Sequence, residues 1–572
     1  MRKRERRMEI AEKTINATQP EIIAWNSINW NQAKNQVQKI QARIVKAVQE
    51  KRWRDVRSLQ RMLTKSLSAK QLAVKQITEN KGKLTPGVDG ETWSGTKQKA
   101  EQVYKLQWKD YKAKPLRRIY IPKADGNSRP LGIPTMYDRA MQALQKMSLE
   151  PIAETLGDNH SYGFRPMRSA ADAIEYSLCL LSKRNSARWI LDADIRRCFD
   201  NIDHNWLIKN IPMNARILKQ WLKSGYLENG IRHETIMGTP QGGVVSPIIA
   251  NMTLDGMEDL IRKSFRSSKL KGENDKVNVV RYADDFLITG VSKVILQEKV
   301  QPLISNFLAK RGLELSKEKT RIVNITEGVE FLGFSIRKYP CGKVLTKPSS
   351  KSQKRFCQMM KVELKTLRTA TQQQVIAKLH PKLTGWRNYY MHCAAKQVFS
   401  KMDNLLHQKL WRWAKRRHPN KSQKWIKNKY FYRYHNQNWA FGFWEDRKEK
   451  SIFRHLPKMS NIPIKRHGLI KGEFNPYDKK WQEYTENRAS RKMKFSMTDT
   501  VYKIWKSQKG QCPCCKHRID ESTKWHIHHA LPRNNGGSDK MNNLLLMHPE
   551  CHRQIHSRSI AGLPIHGNFI YA

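Results

Sequence analysis

The sequence predicts an α+β multidomain protein, and three observations carry that reading. Its 572 residues suggest about four structural units, at roughly 150 residues per domain. Residues 115–340 mix short alternating strands, Gly/Pro turns and amphipathic helical patterns. Residues 31–80 hold no Gly or Pro and space Val37, Ile40, Ile44 and Val48 as a helix face.

Charge narrows the partners. Lys and Arg total 107 against 50 Asp and Glu, a net +57. Such a chain repels itself unless a polyanion is present, either nucleic acid or an anionic membrane surface. With 17 Trp, 18 Tyr and 16 Phe it is no disordered basic tail. The longest uncharged stretch, Thr235–Leu254, is broken by Pro240, Gly242, Gly243 and Pro247, which excludes a transmembrane helix. No apolar run follows the basic start, so no secretory signal is expected and the expected location is cytoplasmic. Nine cysteines make no disulfide scaffold, and four of them crowd the last 61 residues, which points to metal binding.

Composition shifts divide the chain. The turn-rich run from Thr85 to Glu91 closes a helical extension, residues 1–83. The α+β block is 84–342. Residues 343–430 carry 22 Lys and Arg against only Glu363 and Asp403, in helical patterns. Residues 411–444 hold 11 aromatics in 34 positions. A basic region and linker, 431–504, leads to a Cys/His tail, 505–572.

In the α+β block, Val279-Val-Arg-Tyr-Ala-Asp-Asp-Phe-Leu-Ile reads as a β-hairpin with Asp284 and Asp285 at its tip. Adjacent acids between apolar strands are costly unless a cation neutralises them. Upstream, alternation in Trp189-Ile-Leu-Asp-Ala-Asp-Ile places Asp192 and Asp194 on one strand face. Such a strand beside such a hairpin can hold two Mg²⁺ ions about 3.5–4 Å apart for in-line attack on phosphate. A bare Asp-Asp pair is more often a solvated turn; the flanking strands reverse those odds.

The Tyr282-Ala-Asp-Asp element resembles the signature of reverse transcriptases. Leu84-Thr-Pro-Gly-Val-Asp-Gly, Ile121-Pro-Lys-Ala-Asp-Gly-Asn-Ser-Arg-Pro, His160-Ser-Tyr-Gly-Phe-Arg-Pro and Gly238-Thr-Pro-Gln-Gly-Gly before it, and Leu315-Ser-Lys-Glu-Lys-Thr and Phe331-Leu-Gly-Phe after it, occur in order along the chain. Together they resemble the successive blocks of group II intron-encoded proteins. The resemblance implies a right-hand polymerase of fingers and palm, with a helical thumb or domain X at 343–430. Asp194, Asp284 and Asp285 would be its metal carboxylates. Asp194, unlike Asp192, has an aromatic at +5, Phe199, which would screen out the 2′-hydroxyl; its bland alternative is core packing. Lys123 and Arg129 would bind triphosphate, and Gln241 would contact the incoming dNTP. Thr384-Gly-Trp-Arg-Asn-Tyr-Tyr resembles the core of domain X, with Trp386, Tyr389 and Tyr390 either stacking on bases or packing a helix core.

In the tail, Cys512, Cys515, His548 and Cys551 form two x₂-spaced pairs suited to tetrahedral Zn²⁺. His548 stands where many relatives carry Cys, and Cys514 receives no role. Trp525 and Ile527 read as strand core. His528-His529, Asn543, His552 and His556 resemble an HNH endonuclease of ββα-metal type. His528, His552 and His556 would hold Mg²⁺ or a similar cation, His529 would be the general base, and Asn543 would position it or its loop. The bland alternative is a zinc knuckle. The resemblance implies an RNA-directed DNA polymerase that helps splice its own intron RNA and, with it, cuts double-stranded target DNA and primes cDNA synthesis. Two other readings are a splicing-only RNA-binding protein and a stand-alone repair or defence reverse transcriptase.

Overall fold

The structure, a computed structural model, describes residues 24–122, 128–266, 275–435, 437–447, 450–520, 523–558, 564–565 and 568–569. It is a mixed α/β chain of two compact units that interleave along the sequence. One comprises Met1–Gly157, Phe199–Thr253 and Phe474–Ala572; the other comprises Asp158–Cys198 and Leu254–Glu473.

In the first unit, the helical stretch expected over 31–80 is three helices: Trp30–Gln49, Trp53–Lys65 and Leu67–Glu79. Asn29 caps the first by accepting from Gln32 N at 3.0 Å. The break after Gln49 is a Schellman turn. Arg52 N reaches Ala47 O at 2.8 Å and Lys51 N reaches Val48 O at 3.0 Å, with Lys51 at φ +57. Glycine usually takes that left-handed position, so a lysine there hid the break. The helices bury Ile44, Val56, Leu63, Val74 and Ile77, and they contact the helix Met136–Leu156. Four short strands form a sheet in the order Ser128–Ile133, Leu116–Pro122, Tyr226–Glu228, Ile231–His233. At its end in sequence, this unit pairs the strand His526–His529 antiparallel with Leu544–Met547, then adds the helix Pro549–Arg558.

The second unit is built on a four-stranded antiparallel sheet in the order Asn278–Tyr282, Asp285–Gly290, Trp189–Asp194, Arg321–Asn324. The central strand from Asp285 is buried from Phe286 onward, because both of its faces are covered. Three further strands, Val329–Phe331, Phe334–Lys338 and Val344–Pro348, precede the helices Ser350–Thr366, Gln372–Tyr390, Lys396–Arg417 and Gln423–Tyr430. Trp386 stacks on Phe356 at 4.3 Å, and Tyr390 is buried beside Phe334. Those two aromatics pack the helices, whereas Tyr389 stays open to solvent and donates its hydroxyl to Leu332 O at 2.9 Å.

Candidate active site and metal centres

Strand register decides which acids meet. The hairpin turns over two residues, since Tyr282 pairs with Asp285. Ala283 sits at φ +58, a conformation that costs a non-glycine residue roughly 1–2 kcal/mol. Asp285 lies directly across from Asp194, while Asp192 lies across from Arg321. Arg321 Nε bonds Asp192 at 3.0 Å, and it is Asp194 that stands across from the hairpin acid Asp285. Asp284 and Asp194 are thus both close enough to Asp285 to raise its proton affinity.

Asp285 shows the effect. Its surface opens to a cleft, yet surrounding protein atoms crowd water from the carboxyl, and the like charges of Asp284 and Asp194 add to this, pushing it up to about 7. The cleft, about 660 Å³, is lined by Asp194, Asp285, Lys319, Lys351, Arg355 and Tyr389 among others. Lys319 ion-pairs with Asp194, and that hydrogen bond raises the ammonium above its ordinary range. Lys319 lies in the Leu315–Thr320 block, but nothing in its spacing announced the pairing. It arises because Leu315 bridges Ile195 and Ser316 N bonds Asp194 O at 2.8 Å.

The residues expected to meet the nucleotide lie in the other unit. Phe199 is half-buried on the short helix Cys198–Asn201, its carbonyl accepting from Thr239 N at 2.6 Å. Gln241 donates to Asp200 Oδ1 at 2.9 Å, and its carbonyl accepts from Gly132 N at 2.7 Å. Gly242, at φ +111, lies so near the Gly132 strand that a Cβ would fall 2.7 Å from Gly132 O. Arg129 is exposed on the strand Ser128–Ile133, across from Ile121. Lys123 lies outside the described residues.

The basic block presents a groove of about 620 Å³. Lys361, Lys365, Arg368, Lys409, Arg412 and Arg416 line it with Arg417, around Trp413, and no acid is among the lining residues. Arg417 is partly committed to structure, donating to Ala370 O at 2.6 Å.

In the tail, the structure gathers two clusters. Ligand atoms of Cys512, Cys515, His548 and Cys551 lie within 4.8 Å of one another, and all four residues are buried. Donors about 2.0–2.3 Å from one Zn²⁺ would sit roughly 3.3–3.8 Å apart, so the set fits that ion. Hydrogen bonds among the thiols couple them, lowering Cys512 and raising Cys551, as expected of sulfurs crowded at one point. Cys514 is exposed and outside the cluster.

The second cluster is His528, His552 and His556, again within 4.8 Å. Burial, then the neighbouring imidazoles of His552 and His556, lower His528 to about 4, so it is neutral and able to ligate. His529 points elsewhere, as alternation requires. Its Nε2 lies 2.8 Å from Asp539 Oδ1, which also takes Arg533 Nη2 at 2.6 Å. Asp539 had no signal in the sequence. Asn543 bonds the backbone of Leu531 on both sides (2.7 and 3.0 Å) and Ser538 O at 2.8 Å, so it shapes the loop after His529. Ile527, expected in the core, is 44% exposed, because alternation turns it to the face opposite the buried His528.

Comparisons with known proteins agree with this architecture. Family models match for the N-terminal domain of reverse transcriptase at 25–106, reverse transcriptase (RNA-dependent DNA polymerase) at 121–336, the group II intron maturase-specific domain at 353–431, and HNH endonuclease at 512–558. The group II intron-encoded protein LtrA of Lactococcus lactis subsp. cremoris is 33% identical over 350 residues, 50% of this chain and 57% of that protein. Protein YkfC of Escherichia coli K12 is 31% identical over 302 residues, 46% of this chain and 78% of that protein. The putative COX1/OXI3 intron 1 protein of Saccharomyces cerevisiae is 29% identical over 340 residues, 50% of this chain and 40% of that protein. The chain thus spans little more than half the length of LtrA. It belongs to the family of group II intron-encoded reverse transcriptases with maturase and HNH endonuclease regions. Among the described residues, no helix is long and apolar enough to cross a membrane.

Proposed function

We propose that the chain is an RNA-directed DNA polymerase that assists splicing of its own group II intron RNA and, with that RNA, cuts target DNA and primes cDNA synthesis. The observation that carries the polymerase reading is the register that sets Asp194 across from Asp285, next to Asp284. These three carboxylates would hold Mg²⁺, which when bound activates a primer 3′-hydroxyl and stabilises charge on the α-phosphate. Lys319 neutralises Asp194 until then. Lys123 and Arg129 contact the triphosphate, Gln241 the nucleotide, and Phe199 excludes the 2′-hydroxyl. The palm is the antiparallel sheet, the fingers the sheet carrying Arg129, and the thumb the helices of 343–430, whose basic groove tracks RNA phosphates.

The tail is the nuclease. Cys512, Cys515, His548 and Cys551 hold structural Zn²⁺. His528, His552 and His556 hold the hydrolytic cation. Three imidazoles without a carboxylate suit a borderline transition metal better than Mg²⁺, which would draw its remaining ligands from water and phosphate. Held at Nε2 by Asp539 at 2.8 Å and Arg533 Nε at 3.2 Å, the His529 ring is oriented to take a proton from water. The test is Asp284→Ala. It should cut dNTP incorporation on an RNA template by about 10³-fold or more while RNA binding persists. Activity retained within about tenfold would sink the assignment.

A further inference from the structure

A buried charge network lies behind the Tyr282–Asp285 turn, and the chemistry above does not use it. Arg281, just before Tyr282, is 1% exposed. Its guanidinium ion-pairs with Asp255 and lies 3.8 Å from Asp158. Asp158 also accepts from the amides of Gly256 at 2.9 Å and Glu258 at 3.3 Å. Glu258 in turn holds His160 Nδ1 at 2.7 Å and Arg262 at 2.5 Å. The loop starting at Asp158 is therefore stitched to the start of the helix Met257–Arg266.

That same loop grips the hairpin. Arg281 N donates to His160 O at 3.0 Å, and Tyr162 N donates to Arg281 O at 2.9 Å. Gly163 then lies against the turn itself: a Cβ there would come 2.5 Å from Ala283 N. The turn needs such support. Ala283 holds φ +58, where glycine would be the usual choice in a two-residue hairpin. A disfavoured backbone persists only where its surroundings over-determine it.

We propose that Arg281, clamped by Asp255 and Asp158, is a positioning residue that fixes the hairpin tip so that Asp284 and Asp285 keep their places beside Asp194. This rests on the polymerase reading above. Removing one partner of a buried ion pair strands the other charge, and here the strain falls on the backbone that carries the acids.

The test uses full-length, zinc-loaded protein carrying Arg281→Met, Arg281→Lys or Asp255→Asn. It measures single-nucleotide kcat and KM, and Mn²⁺ binding by titration calorimetry without substrate, every protein also carrying His528→Ala and His556→Ala so that the imidazole cluster does not bind Mn²⁺. Arg281→Met should lower kcat by about 100-fold with dNTP KM within about threefold, and weaken Mn²⁺ binding by about tenfold. Arg281→Lys should restore at least about tenfold of the lost kcat, since it keeps the charge. Asp255→Asn, which keeps the shape, should move kcat and Mn²⁺ affinity in the same direction, and it carries the test if Arg281→Met does not fold. Unchanged kcat and Mn²⁺ affinity in a folded variant would overturn the proposal. So would a loss in which KM, primer-template affinity and circular dichroism fall together and Arg281→Lys recovers nothing. If the unmodified protein incorporates no dNTP, the polymerase reading fails instead, and Mn²⁺ binding alone still judges Arg281.

Discussion

Replacing Asp285 by Asn should stabilise the protein while ending its proposed chemistry. Asp285 is pushed up to about 7 by the crowded cleft and then by Asp284 and Asp194. An unfolded Asp titrates near ~3.9. The folded state therefore binds this proton more tightly than the unfolded state. The resulting cost to stability is absent below about pH 4, grows as pH rises, and is complete above about pH 7. A shift of ~3 units at ~1.36 kcal/mol each sets an upper bound of ~4 kcal/mol. The carboxyl opens to solvent on the cleft side and Lys319 stands nearby, so screening reduces this to about 1–2 kcal/mol. Asp285→Asn removes the charge at nearly constant shape. Its unit should then melt about 2–6 °C higher at pH 8, with the gap closing as pH falls toward about 4. The assay is scanning calorimetry of zinc-loaded protein desalted free of Mg²⁺, beside a primer-extension assay in which the variant should be inactive. An equal or lower melting temperature at pH 8, or a gap that widens on acidification, would refute the electrostatic reasoning.

Other outcomes follow from the same geometry. Phe199→Ala should raise rNTP use relative to dNTP in single-turnover kinetics; unchanged discrimination would assign the ring to packing. Replacing Lys361, Lys365, Arg412 and Arg416 together by Ala should flatten the dependence of log affinity for intron RNA on log salt by about 2–3, at ~0.7 per lost contact. An unchanged slope would remove this groove from the RNA surface. His529→Ala should abolish DNA nicking with zinc content intact, whereas Cys512→Ala should lose zinc and unfold the tail, as metal analysis beside a strand-specific nicking assay would show. Normal nicking by His529→Ala would return the tail to a zinc knuckle.

What the amino-acid order determined by itself was whatever depends on neighbours in the chain. Alternation around Val279–Ile288 called for a hairpin, and the structure has one with a two-residue turn. The x₂ pairs at Cys512 and Cys551 and the four-residue step from His552 to His556 foretold clusters, because short loops and one helical turn set those distances. Lys51 escaped notice because it occupies a left-handed position with no glycine to mark it. Asp192 and Asp194 share a strand face and were told apart in the sequence only by the aromatic at +5 from Asp194; their partners came from the tertiary structure alone. The register of two partner strands set one against Arg321 and the other against Asp285. It also chose Lys319 from 107 cations, paired Asp539 with His529, and buried Arg281 between acids far from it in sequence. Charge is non-directional and abundant in this chain, so local patterns carry no information about which cation meets which acid. That is settled by where strands cross, and the crossing is dictated by the apolar faces they bury.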